Sequence, residues 1–515
     1  MRPGAATFGG RTLREAVDSI LTEMEELYLA DDVPWVVGYS GGKDSTAVLQ
    51  LVWMALERIP AEQRHKTVHV ITTDTLVENP IVSSWVNASL ITLQEAATRG
   101  GLAIEAHRLT PKIENTFWVS LIGKGYPAPR PKFRWCTERL KINPSNTFIK
   151  EVVRRHGEAI LVLGIRKAES QARARTMAKH EAKRVRDKLS PNGSLPNSLV
   201  YSPVEDWSND DVWLFLMQVS NPWGHNNKDL LTMYQGASED GECPLVVDTS
   251  TPSCGDSRFG CWTCTLVDKD KSMTAMVQND EEKKWMRPMM DLRNDLDTRD
   301  DDRDSPTYGL RMDKQDRDFR RMNGSVQLME SRDKQDLVIH GPYTQAAREK
   351  WLRKLLTAQV EARRLGPAHV VDLELISMPE LHEIRRLWVF DKHEIEDSLP
   401  RIYEETTGEA FPGRPLDEHL VLAADEMAVL KDVCGDDTIH FELTRELLDV
   451  ERRYRTMSRR AGLYEALERA VRRGFYTDEE DAKARAVRIK TARNALSLET
   501  SSFDPADEEV ASASD

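Results

Sequence analysis

In the first half of the chain, apolar residues gather in short runs closed by turn residues; in the second half they recur at helical spacing. Three runs predict strands: Trp35-Val36-Val37, Thr67 to Thr72, and Ile160-Leu161-Val162-Leu163. Helix-like stretches lie between and around them: residues 12–30, the run Ala47 to Val52, and the segment that Ser208-Asn209-Asp210-Asp211 opens before Val212 to Leu216. Strands alternating with helices predict an α/β fold with a doubly wound, mainly parallel sheet. After Gly341-Pro342-Tyr343-Thr344 the pattern becomes helical, with Thr344 capping a run to Leu365 and heptad-like spacing over Met378 to Trp388 and Phe441 to Arg473. The length of 515 residues exceeds what one core supports. The expected order is an α/β domain over 1–240 with its N-terminal helix, a cysteine-rich segment over 241–290, a charged mobile connection over 291–344, a helical region over 345–496, and a disordered acidic tail over 497–515. Within the connection, Asp291 to Asp304 is dense in Asp and Arg and reads as a mobile loop.

The chemistry starts where the first strand ends. Ser40-Gly41-Gly42-Lys43-Asp44-Ser45-Thr46 stands between that strand and the next helix, where backbone N–H groups and a positive helix end face an anion. Phosphate suits that place. The spacing is not that of a Walker loop, which needs four residues between its first glycine and its Gly-Lys pair. Gly41 and Gly42 let the backbone close on phosphates, Lys43 supplies charge, and Ser40, Ser45 and Thr46 supply hydroxyls. The plain alternative is a serine-glycine turn capping an ordinary helix, with Ser45 as N-cap.

Two further loops belong to the same expected sheet edge. The second strand runs into Thr73-Asp74-Thr75, and ligands of doubly wound sheets sit beyond the carboxyl ends of strands, so Asp74 is placed to read ribose or adenine. The third runs into Gly164-Ile165-Arg166, with Arg173 one helical stretch later, giving a second cationic loop unless these arginines are solvated helix surface.

Six cysteines in the whole chain exclude a disulfide scaffold and suit a reducing cytoplasm. Four fall within 22 positions, Cys243, Cys254, Cys261 and Cys264, and their spacing suits zinc or an iron–sulfur cluster. Cys136 lies upstream in Arg134-Trp135-Cys136-Thr137-Glu138-Arg139, and Cys434 reads as a small buried apolar residue.

Taken together, SGGKDST, RWCTERLKI, GIRKAES, YSPVEDWSNDDVW and CGDSRFGCWTCTLV resemble the phosphoadenosine phosphosulfate (PAPS) reductase-like branch of the PP-loop ATP pyrophosphatases. Within it, the segments look like the DndC-like sulfurtransferases of bacterial DNA phosphorothioation. The resemblance covers about residues 10 to 345. It implies that Ser40, Gly41, Gly42, Lys43, Asp44 and Ser45 bind ATP with Mg²⁺, with Asp74, Gly164 and Arg173 also on the nucleotide. Lys43, Asp44 and Arg166 then take the catalytic roles. It also implies a [4Fe–4S] cluster on Cys243, Cys254, Cys261 and Cys264, with Cys136 matching an upstream cysteine motif. Relatives carry two adjacent cysteines there, where this chain has Trp135-Cys136. Five cysteines for at most four ligand positions leave open which of them binds and which atom carries sulfur. The implied activity adenylylates a DNA phosphate oxygen, releases pyrophosphate and installs sulfur from a cysteine desulfurase, working with other phosphorothioation (Dnd) subunits. Two other readings share these motifs: a sulfonucleotide reductase, and a non-catalytic assembly subunit that senses nucleotide.

Charge sets the partners. A net charge of −14 argues against unaided DNA binding, because duplex affinity rests on Lys and Arg neutralising phosphates. Local basic stretches exist, from Arg166 to Lys188 and in the last arginine-rich helix, but interleaved acids make both readable as solvated surface. No run of 18 apolar residues and no signal-peptide pattern is present, so the expected place is the cytoplasm.

Overall fold

The computed structural model describes residues 7–186, 188–236, 260–300, 309, 311–330, 336–413, 424–455 and 457–501. A six-stranded sheet has the order β3-β2-β1-β4-β6-β5. Its strands are β1 (Trp35–Gly38), β2 (Val68–Thr73), β3 (Ile104–Leu109), β4 (Ala159–Val162), β5 (Ser190–Pro191) and β6 (Ser198–Tyr201). All pairs are parallel except β5 on β6 at the edge. This is the doubly wound α/β arrangement expected from the apolar runs. The sheet reverses direction around β1, so the loops after β1 and β4 flank the crevice where such folds take ligands.

Alternation along the strands sorts the two faces. Trp35, Val37, Val68, Val70, Ile160 and Val162 pack into a core with α1 (Leu13–Leu29), α2 (Lys43–Arg58), α3 (Pro80–Arg99), α6 (Asn209–Gln218) and α7 (Asn227–Gly236). Val36, Ile71 and Leu161 point to the other face and meet Ile149 and Val152 of α4 (Asn143–His156). A capping box on Thr12 starts α1, and another on Ser208 starts α6, the second where the sequence opens a helix.

The chain divides into two compact units, and each is discontinuous. The first contains Met1–Phe117, Pro129–Asp297 and Ala358–Leu375; the second contains Trp118–Ala128, Thr298–Thr357 and Ile376–Asp515. The first adds α5 (Gln171–Glu181), α8 (Lys271–Asn279) and α9 (Arg287–Leu296) to the sheet. Asp291 to Leu296 is therefore helix and not mobile loop. The cause is an apolar face that charge density hides, since Met289, Leu292 and Leu296 recur at helical spacing and are buried, with Arg293 buried beside them.

The second unit is mainly helical. The helix α10 (Gln345–Leu365) begins in it, followed by α11 (Met378–Arg386), α12 (Ser398–Thr407), α13 (Ala424–Cys434), α14 (Thr438–Arg455), α15 (Leu463–Gly474) and α16 (Glu479–Ser501). A short hairpin, β7 (Leu328–Glu330) and β8 (Asp336–Val338), accompanies them. Trp388 donates its indole N–H to the carbonyl of Ile122 at 2.9 Å, which ties the 118–128 segment into this unit. The stretch Phe441 to Arg473 is two helices, because Gly462 at φ 87° caps the start of α15 in a conformation that favours glycine. Residues 497–501, expected in a disordered tail, continue α16, and residues 502–515 lie outside the described residues. No described helix is long and apolar enough to cross a membrane.

Candidate active site

The loop between β1 and α2 closes on itself before it meets any ligand. The hydroxyls of Ser45 and Thr46 both donate to the carbonyl of Gly42, at 3.0 and 2.9 Å, and Ser40 Oγ stands 3.1 Å from Ser45 Oγ. Gly42, not Ser45, is the N-cap, and α2 begins at Lys43. Gly41 has φ +73°, and a side chain there would collide with Val86 Cγ2. The N-terminal amides of α2 are thereby left to an anion.

Asp44 organises the charges. Its carboxylate accepts from Lys43 Nζ at 2.9 Å and from Arg166 Nε at 2.7 Å. Arg166 is 3% exposed and donates a further bond to the Trp207 carbonyl at 3.2 Å, so its guanidinium is fixed while Lys43 stays nearer the surface. Two cations, one carboxylate and a helix start leave the site net positive, which suits polyphosphate. Gly164 makes the approach possible: a Cβ there would lie 2.9 Å from the backbone of Asp44. The structure thus brings Ser40, Gly41, Gly42, Lys43, Asp44, Ser45, Gly164 and Arg166 together. Arg173 does not join them through Arg166; it sits in the first turn of α5, half-exposed, and pairs with Glu169.

One residue of this site escaped the sequence. Tyr234 on α7 places its hydroxyl 3.5 Å from the Lys43 amide, with the Lys43 ammonium 5.9 Å from its ring centroid. Burial pushes its phenol well above the usual value, so it stays a neutral hydroxyl that accepts from the Lys43 N–H. A buried amide network anchors it. Gln50 donates to the carbonyls of Val219 and Ser220 at 3.0 Å each, and Asn227 donates to Gln50 Oε1 at 3.1 Å and to the Leu216 carbonyl at 2.8 Å. Contacts spanning about 170 to 190 residues leave no local pattern to read.

Beyond β2 lies a thiol cluster. Asp74 is at the carboxyl end of β2, where the sequence placed it, but its carboxylate is taken by Arg108 and by the Leu76 amide at 2.8 Å. The next residues carry the cysteine segment. The Trp262 amide bonds to the Val77 carbonyl at 2.9 Å, Glu78 bridges Cys261, and Thr75 Oγ1 lies 3.2 Å from Cys261 Sγ. The turn is held from behind by Arg293, 1% exposed, which donates to the carbonyls of Cys264 at 2.9 Å and Asp268 at 3.0 Å and also to that of Val267.

Cys136 joins this pair, 125 positions upstream of Cys261 in sequence. Its thiol and that of Cys264 interact electrostatically, and Lys141 faces all three of Cys136, Cys261 and Cys264 together with Glu78. Cys261 above all, when ionised, holds the Lys141 ammonium above its usual value. Burial pushes the Cys261 thiol up to about 11, with Lys141 opposing, and also raises Cys136; it pushes Glu78 up to about 7. Cys136, Cys261 and Cys264 lie within electrostatic reach of one exposed lysine, Lys141, so these three residues could supply thiolates to a metal group whose charge Lys141 would offset. Cys243 and Cys254 lie outside the described residues. Cys434 is partly exposed on α13, so the expectation that it is fully buried does not hold.

Among known proteins, residues 34–266 match the model of the phosphoadenosine phosphosulfate reductase domain, a stretch of less than half of the chain. An uncharacterized protein of Methanocaldococcus jannaschii is 28% identical over 190 residues, which are 37% of this chain and 32% of that protein. The match thus spans about a third of the relative's length. Among solved structures, the FMN adenylyltransferase of Candida glabrata in complex with FAD and inorganic pyrophosphate is 12% identical, covering 47% of this chain and 68% of the other, at TM-score 0.25. The U34-tRNA thiolase NcsA of Methanococcus maripaludis with its [4Fe-4S] cluster is 14% identical, covering 54% and 80%, at TM-score 0.26.

Proposed function

We propose that the chain is an ATP-dependent sulfurtransferase of DNA phosphorothioation. A non-bridging oxygen of a DNA phosphate attacks the α-phosphorus of ATP and expels pyrophosphate; the terminal sulfur of a persulfide charged by a cysteine desulfurase then attacks the DNA phosphorus and displaces AMP, and a thiol reductant cleaves the resulting S–S bond to leave the phosphorothioate. One observation supports this most: a phosphate loop after β1 and a three-thiol cluster beyond β2 stand at the carboxyl ends of adjacent strands.

The loop amides and α2 start bind the β- and γ-phosphates, with Mg²⁺ sharing their charge. Lys43 neutralises the leaving pyrophosphate. Arg166, already desolvated and fixed, stabilises charge developing at phosphorus without reorganising, and Asp44 holds both cations at that spacing. Cys136, Cys261 and Cys264 would hold a [4Fe–4S] cluster, which when bound supplies a sulfur-binding Lewis-acid centre. Lys141 keeps a positive charge against the thiolates there. DNA arrives through partner subunits, since the chain is acidic and much of its basic surface is internally paired: Lys167 with Asp206, Arg184 with Glu205, Arg186 with Asp31.

The domain match favours a second reading, reduction of a sulfonucleotide. Incubation with ATP, cysteine desulfurase, cysteine, partner subunits and DNA separates the two. The proposal expects AMP and pyrophosphate release that depends on DNA. Sulfite formed from a supplied sulfonucleotide and a thiol reductant without DNA, and no DNA-dependent release of AMP and pyrophosphate from ATP, would establish the reductase instead.

A further inference from the structure

Three side chains that the proposed reaction does not use converge on the α4 face of the sheet. His69 lies on β2, Glu105 and His107 on β3, and the register pairs His69 with Glu105 and Ile71 with His107. Period-two alternation therefore puts all three on one face. His69 Nδ1 and His107 Nε2 are 3.1 Å apart, and the same Glu105 oxygen lies 3.4 Å from the first and 3.6 Å from the second. Phe148 of α4 covers both rings, with centroids at 5.5 and 4.7 Å. Glu105 keeps the outer side open to solvent.

We propose that His69, Glu105 and His107 form a binding site for a divalent transition metal ion, Zn²⁺ by geometry, at the β2–β3 edge of the sheet. The distances carry the choice of ion. Tetrahedral bonds of 2.0–2.1 Å put ligand atoms roughly 3.3 Å from one another, and the three observed separations centre on that length. An ion about 2.1 Å from each atom then sits roughly 0.7 Å outside their plane, toward solvent, with its fourth position free for water. Cis positions of an octahedral ion at such bond lengths would be only about 3.0 Å apart, shorter than both contacts of Glu105. Two imidazoles and one carboxylate are also borderline ligands, which favour zinc over magnesium or calcium.

The position argues for a structural role. His69 is the second residue of β2 and Asp74 follows its end, so at about 3.3 Å per residue the metal stands roughly 16 Å from the ligand edge of the sheet. It would clamp the outermost strand pair and the helix covering it.

The test uses full-length protein purified anaerobically, loaded with ZnCl₂, gel-filtered, and analysed for zinc per chain and by zinc-edge X-ray absorption. The expected result is one zinc with a shell of nitrogen and oxygen only, kept in Cys264→Ser. It should be weakened at least about tenfold in His107→Ala and, with the fold kept because its side chain is exposed, in Glu105→Gln. Zinc bound only through sulfur, no zinc, or unchanged zinc in both variants would overturn the site. The 3.1 Å contact would then be one imidazole N–H donated to the other ring.

Discussion

Asp44 shares one carboxylate between a half-buried lysine and a buried arginine, and comparing its removal with that of the lysine separates binding from stability. Asp44→Ala leaves the Arg166 guanidinium desolvated with only a carbonyl partner, so we expect a loss of about 3 kcal/mol in urea unfolding as well as of pyrophosphate release. Lys43→Ala removes a group nearer solvent, so it should abolish pyrophosphate release while shifting stability by under about 1 kcal/mol. Residue order made this loop legible: two glycines, a lysine and hydroxyls between a strand and a helix have few uses. Tyr234 was not legible, because its role comes from packing across the domain. In the second unit, Lys392 lines a cavity of about 350 Å³ with Asp318, Arg348, Glu394 and Glu442. Burial first, then Arg348, pushes its ammonium down from 10.5 to about 8. The unfolded chain therefore holds more protons between those values, and stability contributed by this residue rises with pH across that window. Urea midpoints at pH 7.5 and 9.5 should show this rise, and Lys392→Met should flatten it.

Among elements, the turn carrying Cys261 and Cys264 depends on a helix that the sequence disguised. Acids and arginines around Asp291 conceal an apolar stripe, yet Arg293 of α9 is the donor that fixes the turn's carbonyls. Arg293→Leu would leave buried carbonyls unsatisfied at a cost of at least about 3 kcal/mol. Iron and acid-labile sulfide per chain should fall in this variant as in Cys264→Ser, and stay unchanged in Lys43→Ala. Strands and the helix at Ser208 were readable because local pattern sets them: β1, β2 and β4 lie within a residue or two of their apolar runs, and α6 starts after Ser208. Arginines of α14 and α15 were readable only as alternatives, and the structure pairs several within their own unit: Arg452 and Arg453 with Asp449, Arg455 with Glu451, Arg473 with Glu446.

At the scale of the whole molecule, each unit draws on three separate stretches of chain. Length and composition suggested consecutive segments, since nothing local announces that residues 118–128 fold with the C-terminal helices or 358–375 with the sheet. Removal of residues 345–515 would thus take material from both units, and we expect loss of the cooperative unfolding transition; a truncated protein that unfolds like the full chain would contradict this partition. If the phosphate loop and the thiols of Cys136, Cys261 and Cys264 serve one reaction on DNA, nuclease digestion of cellular DNA and mass spectrometry should find sulfur-linked dinucleotides in wild type and none in Lys43→Ala or Cys264→Ser; wild-type amounts in both variants would rule that reaction out.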